Sequence, residues 1–165
     1  YINADAIKQA TNCTDLEAAQ EAERLREYML AKRADFTFET VLSTCRNLNL
    51  LERAKEAGYE ICAIFVLTKN SAINVERVQS RVKKGGHDVP VKKIISRYER
   101  SIGNLARLVR IADIARIVDN STDLPSVICE VKGTSASVFE NSEWNTDEIL
   151  GLLALQDGPE EARRP

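Results

Sequence analysis

Along this chain, uninterrupted apolar runs alternate with stretches in which apolar positions recur every three or four residues, the pattern of strands separated by helices. Ile61-Cys-Ala-Ile-Phe-Val-Leu-Thr68 is the longest apolar run, and its continuity predicts a strand buried on both faces. Phe36-Thr-Phe-Glu-Thr40 reads as a short strand ending in polar residues. Ile114–Val118 and Val127–Val131 read as two more, joined across the turn formers of Asp119–Pro125 by a hairpin or wide loop. The helical period predicts Asp15–Lys32, capped by Thr14 with Glu17 three residues on. It also predicts a helix from Ser43 to Ala57 stopped at Gly58, whose missing Cβ permits the left-handed turn that ends helices. Asn74–Lys84 and Val91–Ile111 form a helical pair, with Pro90 opening the second, and Thr146–Gln156 one amphipathic helix before a frayed end. Helices alternating with apolar strands predict an α/β fold with a mostly parallel sheet.

Composition fits a soluble globular protein: 165 residues, 44% hydrophobic, 29% charged and 5% aromatic. The net charge of −2 gives no argument for a polyanionic partner. Its distribution is uneven, however. Residues 75–116 carry eleven Lys or Arg against four Asp or Glu, a local positive field suited to a small anionic ligand. Cys13, Cys45, Cys62 and Cys129 lie far apart without a CxxC pair, Cys62 and Cys129 inside apolar runs, which reads as buried free thiols in a reducing, cytoplasmic setting. One histidine and scattered cysteines make no zinc site, and no apolar run is long enough to span a bilayer.

Arg81-Val-Lys-Lys-Gly-Gly-His-Asp-Val-Pro90 is the densest chemical signal, with Arg77 one turn before it and Arg97 and Arg100 after. Guanidinium groups grip phosphate bidentately, and glycines permit close backbone approach, so the stretch suits a lid that closes on a nucleotide. Each arginine pair, at spacings of four and three, shares a helix face; such pairs also occur as ordinary salt-bridged surface. His87 can grip phosphate or simply be solvated. Asp5 follows an apolar start and precedes a helix, so it reads either as an N-cap or as a ligand group at a strand's carboxyl end. Glu39 and Thr40 end the Phe36–Phe38 run in the same way, and a buried Glu39 would need a donor or a cation.

Asn3-Ala-Asp5, Phe36-Thr-Phe-Glu-Thr40-Val-Leu-Ser-Thr, Gly58-Tyr-Glu-Ile with Phe65-Val-Leu-Thr, the arginine-rich loop, Arg97-Tyr-Glu-Arg-Ser101 and Asp119-Asn-Ser121 follow in order. This series resembles the zeta-toxin-like P-loop kinase family over about residues 1–133, leaving 134–165 as a C-terminal tail with one helix. The resemblance implies a P-loop nucleotide-kinase fold, a mostly parallel sheet flanked by helices with an arginine-bearing helical lid. It implies transfer of the γ-phosphoryl of ATP, with Mg²⁺, to the hydroxyl of a small molecule. The family includes toxins that phosphorylate the activated amino sugar of cell-wall synthesis; a nucleoside or an antibiotic hydroxyl is another acceptor of that class. By resemblance, Asp5 lies against the substrate hydroxyl as base or orienter. Glu39 and Thr40 contact substrate or the magnesium-bound water shell, Arg81 and Arg97 neutralise phosphate charge, with Arg77, Arg100 and His87 as further phosphate groups. Asn120 borders the adenine.

One departure stands out. The family carries Gly-x-x-x-x-Gly-Lys-[Ser/Thr] upstream of the Asn-Ala-Asp motif, and no such sequence occurs here. This predicts a piece of a longer chain, inactive by itself. The rival reading is a non-catalytic interaction module whose basic helices dock an acidic protein such as an antitoxin, or nucleic acid; the few aromatics, not interleaved with the basic run, argue against nucleic acid.

Overall fold

The computed structural model describes residues 1–86 and 88–154, so His87 and the tail beyond Ala154, including the predicted helical turn to Gln156, lie outside the described residues. The chain forms two compact units, Tyr1–Val41 and Leu42–Pro165.

In the first unit, α1 (Ala4–Thr11) is capped by Asn3, whose side chain accepts from the Ala6 N–H, and ends at Asn12 in the left-handed conformation. The next helix, α2 (Asp15–Ala31), opens with the capping box that its sequence predicts: Thr14 and Glu17 satisfy each other's backbone N–H groups. Ala18 and Ala22 are the small buried residues of its inward face. Arg26 is buried beside them, its guanidinium 5.1 Å from the centroid of Phe38. The predicted strand Phe36–Thr40 is reduced to a single parallel bridge between Ile2 and Phe38. The sequence pattern is strand-like, but a ladder needs a second run, and among the described residues only Ile2 pairs with it.

The second unit holds α3 (Arg46–Glu56), β1 (Cys62–Leu67), α4 (Ser71–Lys83), α5 (Val91–Gly103), α6 (Leu105–Ile111), β2 (Ile114–Asp119), β3 (Ser126–Lys132), β4 (Ser135–Val138) and α7 (Thr146–Ala154). Its sheet runs β1-β2-β3-β4. Only β1 and β2 are parallel; β2–β3 and β3–β4 are antiparallel, so the mostly parallel sheet expected from the sequence is corrected to a mixed one. The physical reason lies in the connections. β1 reaches β2 through three helices, as a parallel crossover must, whereas β3 and β4 return through loops too short for anything but hairpins. A bulge at Ile117/Val118 places consecutive Ile128 and Cys129 in the core. Burial also pushes the Cys129 thiol's pKa up.

A second expectation fails at β1. Phe65 and Leu67 are buried, while Cys62, Ile64 and Val66 on the alternate face are exposed, so this strand is covered on one face only. A third fails at the Val91–Ile111 helix, which breaks at Asn104 into α5 and α6; the Asn104 amide donates to the Leu42 carbonyl at 2.7 Å. α6 is almost wholly buried and packs on α3, α7, β1 and β2, making Leu48, Leu105, Ile117, Ile128 and Ile149 the centre of the core. By contrast, α4 and α5 pack on each other and bury no residue fully.

Candidate functional site

β1 and β2 end side by side, and their carboxyl ends carry Thr68-Lys-Asn70 and Asp119-Asn-Ser121. In open α/β sheets this is where ligands bind. α4 springs from it, starting at Ser71 after Asn70, whose side chain caps the Ala72 and Ile73 N–H groups.

At the far end of α4 the glycine pair performs a definite task. Gly85 takes φ +84°, its N–H donates to the Val82 carbonyl at 2.9 Å, and the Gly86 N–H donates to the Arg81 carbonyl at 3.0 Å. This is a Schellman motif, which satisfies the orphan carbonyls of the last turn. Gly86 is close against the Arg81 stem: a Cβ there would lie 2.5 Å from Arg81 Cγ and 3.0 Å from its carbonyl oxygen. The missing side chain therefore lets Arg81 fold back over the turn. Arg77, Ser80, Arg81, Lys84 and Gly86 together line an open concavity of about 410 Å³. Three cations, a hydroxyl and a backbone without a side chain make an anion-receiving surface.

Arg77 also donates to the Thr122 carbonyl at 3.4 Å, tying α4 to the loop after β2. Arg97 is partly exposed on α5, and Arg100 is turned back on its own helix, donating to Ser96 O at 3.1 Å. Asn120 extends the parallel ladder, its N–H donating to Leu67 O at 2.8 Å. In the first unit, Asp5 lies in the first turn of α1 and is exposed; Asn3, not Asp5, is the N-cap. Asn3 also donates to Glu39 Oε1 at 3.0 Å, joining the helix start to the residue after the Phe38 bridge. Glu39 and Thr40 are exposed, so Glu39 carries no burial penalty. Among the described residues no group of three or more His, Cys, Asp or Glu could hold a metal ion.

Sequence reasoning missed a second cluster at the strand ends. Asp119 is buried, and its Oδ1 accepts from Ser121 Oγ at 2.5 Å and from the Trp144 indole N–H at 3.0 Å. Lys69 Nζ lies 4.3 Å from the Trp144 ring centroid and donates to Glu143 O and to both Glu148 oxygens. Lys69 holds the Glu148 carboxyl below the ordinary carboxylate range, helped by the Asn145 N–H. Two signals were available in the sequence: Lys69 directly follows an apolar strand, and Trp144 is the chain's single tryptophan.

A mixed sheet whose parallel pair leads into an arginine-bearing helical hairpin defines a protein of the α/β class. The zeta toxin family model matches residues 2–143, and the chain belongs to that family. Over 90 residues it is also 27% identical to an uncharacterized protein of Haemophilus influenzae, a match covering 54% of this chain and 64% of that protein. The chain thus spans less than two thirds of the length of this curated relative. No solved structure matches it significantly. Among the described residues no helix is long and apolar enough to cross a membrane.

Proposed function

We propose that this chain is part of an ATP-dependent kinase that transfers a γ-phosphoryl group to the hydroxyl of a small molecule. The observation that carries the reading is the concavity of Arg77, Ser80, Arg81, Lys84 and Gly86 in a chain of the zeta toxin family. Phosphoryl transfer asks of a protein mainly positioning and charge neutralisation, and guanidinium groups on a hairpin that buries little can close on phosphate oxygens. Arg81 and Arg97 take that role, with Arg77 and Arg100 supporting them. Asp5 accepts or orients the acceptor's proton, and Glu39 and Thr40 meet the substrate. Asn120 borders the base. Magnesium bound with the nucleotide supplies further charge neutralisation; it needs few protein ligands, and the exposed Glu39 carboxylate, of which Asn3 engages Oε1, suits its water shell. An activated amino sugar is the acceptor class to try first.

The test is ATP-dependent phosphorylation of nucleotide sugars by the full-length protein, read by mass spectrometry. Arg81→Ala and Asp5→Asn should each lower the rate by about a hundredfold or more. Full activity in both would end the reading. Exposed Lys83, Lys84, Lys92 and Lys93 on the same hairpin favour a second reading, a docking surface for an acidic protein such as an antitoxin.

A further inference from the structure

Both helices of the basic hairpin are fastened to one residue, Thr68. Asn74 of α4 donates to Thr68 Oγ1 at 3.0 Å, and Tyr98 of α5 donates its hydroxyl proton to the Thr68 carbonyl at 2.8 Å. The other side of that peptide group is engaged too: the Lys69 N–H donates to Ser121 Oγ at 2.7 Å. The Ser121 hydroxyl donates to Asp119 Oδ1, the atom that also accepts from the Trp144 indole N–H. A single file of hydrogen bonds therefore runs from α5 through the Thr68–Lys69 peptide to Trp144. Its middle is buried, with Thr68 and Asp119 among the few buried polar residues, and burial with the Asp119 charge raises the Tyr98 pKa. In such surroundings a lost partner leaves an unsatisfied group, so each bond restrains the next.

Trp144 is itself held. The Asn141 side chain accepts from the Glu143 and Trp144 N–H groups, and Asn145 and Glu148 cap α7 reciprocally. Buried Ile149 anchors α7 in the core, and Lys69 ties Glu148 to the segment that follows β1. The family match ends at residue 143, so Trp144 and α7 lie beyond it.

We propose that Trp144 is a positioning residue for the arginine hairpin: the C-terminal segment Asn141–Ala154 sets the placement of α4 and α5 through Asp119, Ser121 and the Thr68–Lys69 peptide. The coupling is reciprocal, so closure of the hairpin on phosphate is felt at the indole. This second half rests on the reading that the hairpin carries phosphate; the first half does not.

Amide hydrogen exchange on the wild type and Trp144→Phe, which keeps an aromatic ring but removes the N–H donor together with part of the indole's bulk, tests the first half, with Ser121→Ala as the variant that breaks the file without touching that ring. The Lys69 amide and the amides of α5 should exchange about tenfold faster in the variant, the effect of losing one hydrogen bond, with β2 and β3 unchanged. Faster exchange confined to residues 141–154 would overturn the proposal. Should Trp144→Phe fail to fold, Ser121→Ala carries the same expectation. For the second half, tripolyphosphate is titrated while the emission of Trp144, the sole tryptophan, is followed. The wild type should show a saturable change, and Tyr98→Phe should bind by calorimetry without one. An equal emission change in Tyr98→Phe would contradict the coupling. Absence of tripolyphosphate binding would instead remove the phosphate reading and leave the exchange result to decide the rest.

Discussion

At the scale of single residues, the chemistry of this chain depends on what neighbours leave room for. Arg81 reaches its place because residue 86 has no side chain, and Gly86→Ala should displace it. We expect that substitution to weaken tripolyphosphate binding by about tenfold, the worth of one charge-assisted hydrogen bond, and, because the added Cβ also crowds the Arg81 carbonyl that closes the α4 cap, to lower the urea midpoint; calorimetry and a denaturation curve measure the two effects. Glu148 gives a pH prediction with a definite sign. Its folded pKa is depressed from an ordinary value of 4.5, so its contribution is fully present above that value and disappears as pH falls through the lower folded one. Trp144 emission in the wild type should therefore change in acid, below about pH 4.5, and Glu148→Gln should lack that component. Superimposable acid titrations would show that the carboxylate does nothing there. Arg77 and Arg81, which line one concavity, were legible as a basic pair because cations at helical spacing are visible in a sequence, whereas spacing alone does not bring Arg97 or Arg100 to that concavity. The Asp119–Trp144 contact was not legible, because it joins residues 25 apart through a fold that no local pattern encodes.

At the scale of elements, two helix ends were read well, the Asp5 cap was not, and environments were read less well. Thr14 with Glu17 and the stop at Gly58 appear as their sequences require, since both are local backbone chemistry. The double glycine does permit close approach, at Gly86 against Arg81, and Gly85 and Gly86 also terminate α4 with defined hydrogen bonds. Gly85→Ala, forced to φ +84°, should cost about 1 kcal/mol in urea denaturation, whereas Gly151→Ala, inside α7 with open space around it, should gain up to about 1 kcal/mol. Equal effects at the two sites would refute the cap. β4 was missed because Ser-Ala-Ser-Val has too little apolar alternation to declare a strand; its clue was the tight Gly133-Thr134 turn, with Gly133 at φ +56°. The break between α5 and α6 was missed because the helical period continues through it, and only the Asn104 contact with Leu42 marks it.

At the scale of the molecule, the sequence conveyed the α/β class but not the balance of the sheet. Apolar continuity in β1 says that a strand is hydrophobic, not how many faces are covered or which way its neighbours run. The second unit centres on buried α6, whereas its hairpin of α4 and α5 buries no residue fully. That contrast suits a core that holds Thr68 and Asp119 still while an arginine-bearing element meets an anion. The most direct test is calorimetric titration of tripolyphosphate into the wild type and into Arg77→Ala/Arg81→Ala at two ionic strengths. The account predicts saturable binding that the double substitution weakens by about tenfold or more, with only a shallow dependence on salt. Undiminished affinity in the double variant, or much tighter and steeply salt-dependent binding of an oligonucleotide, would contradict it.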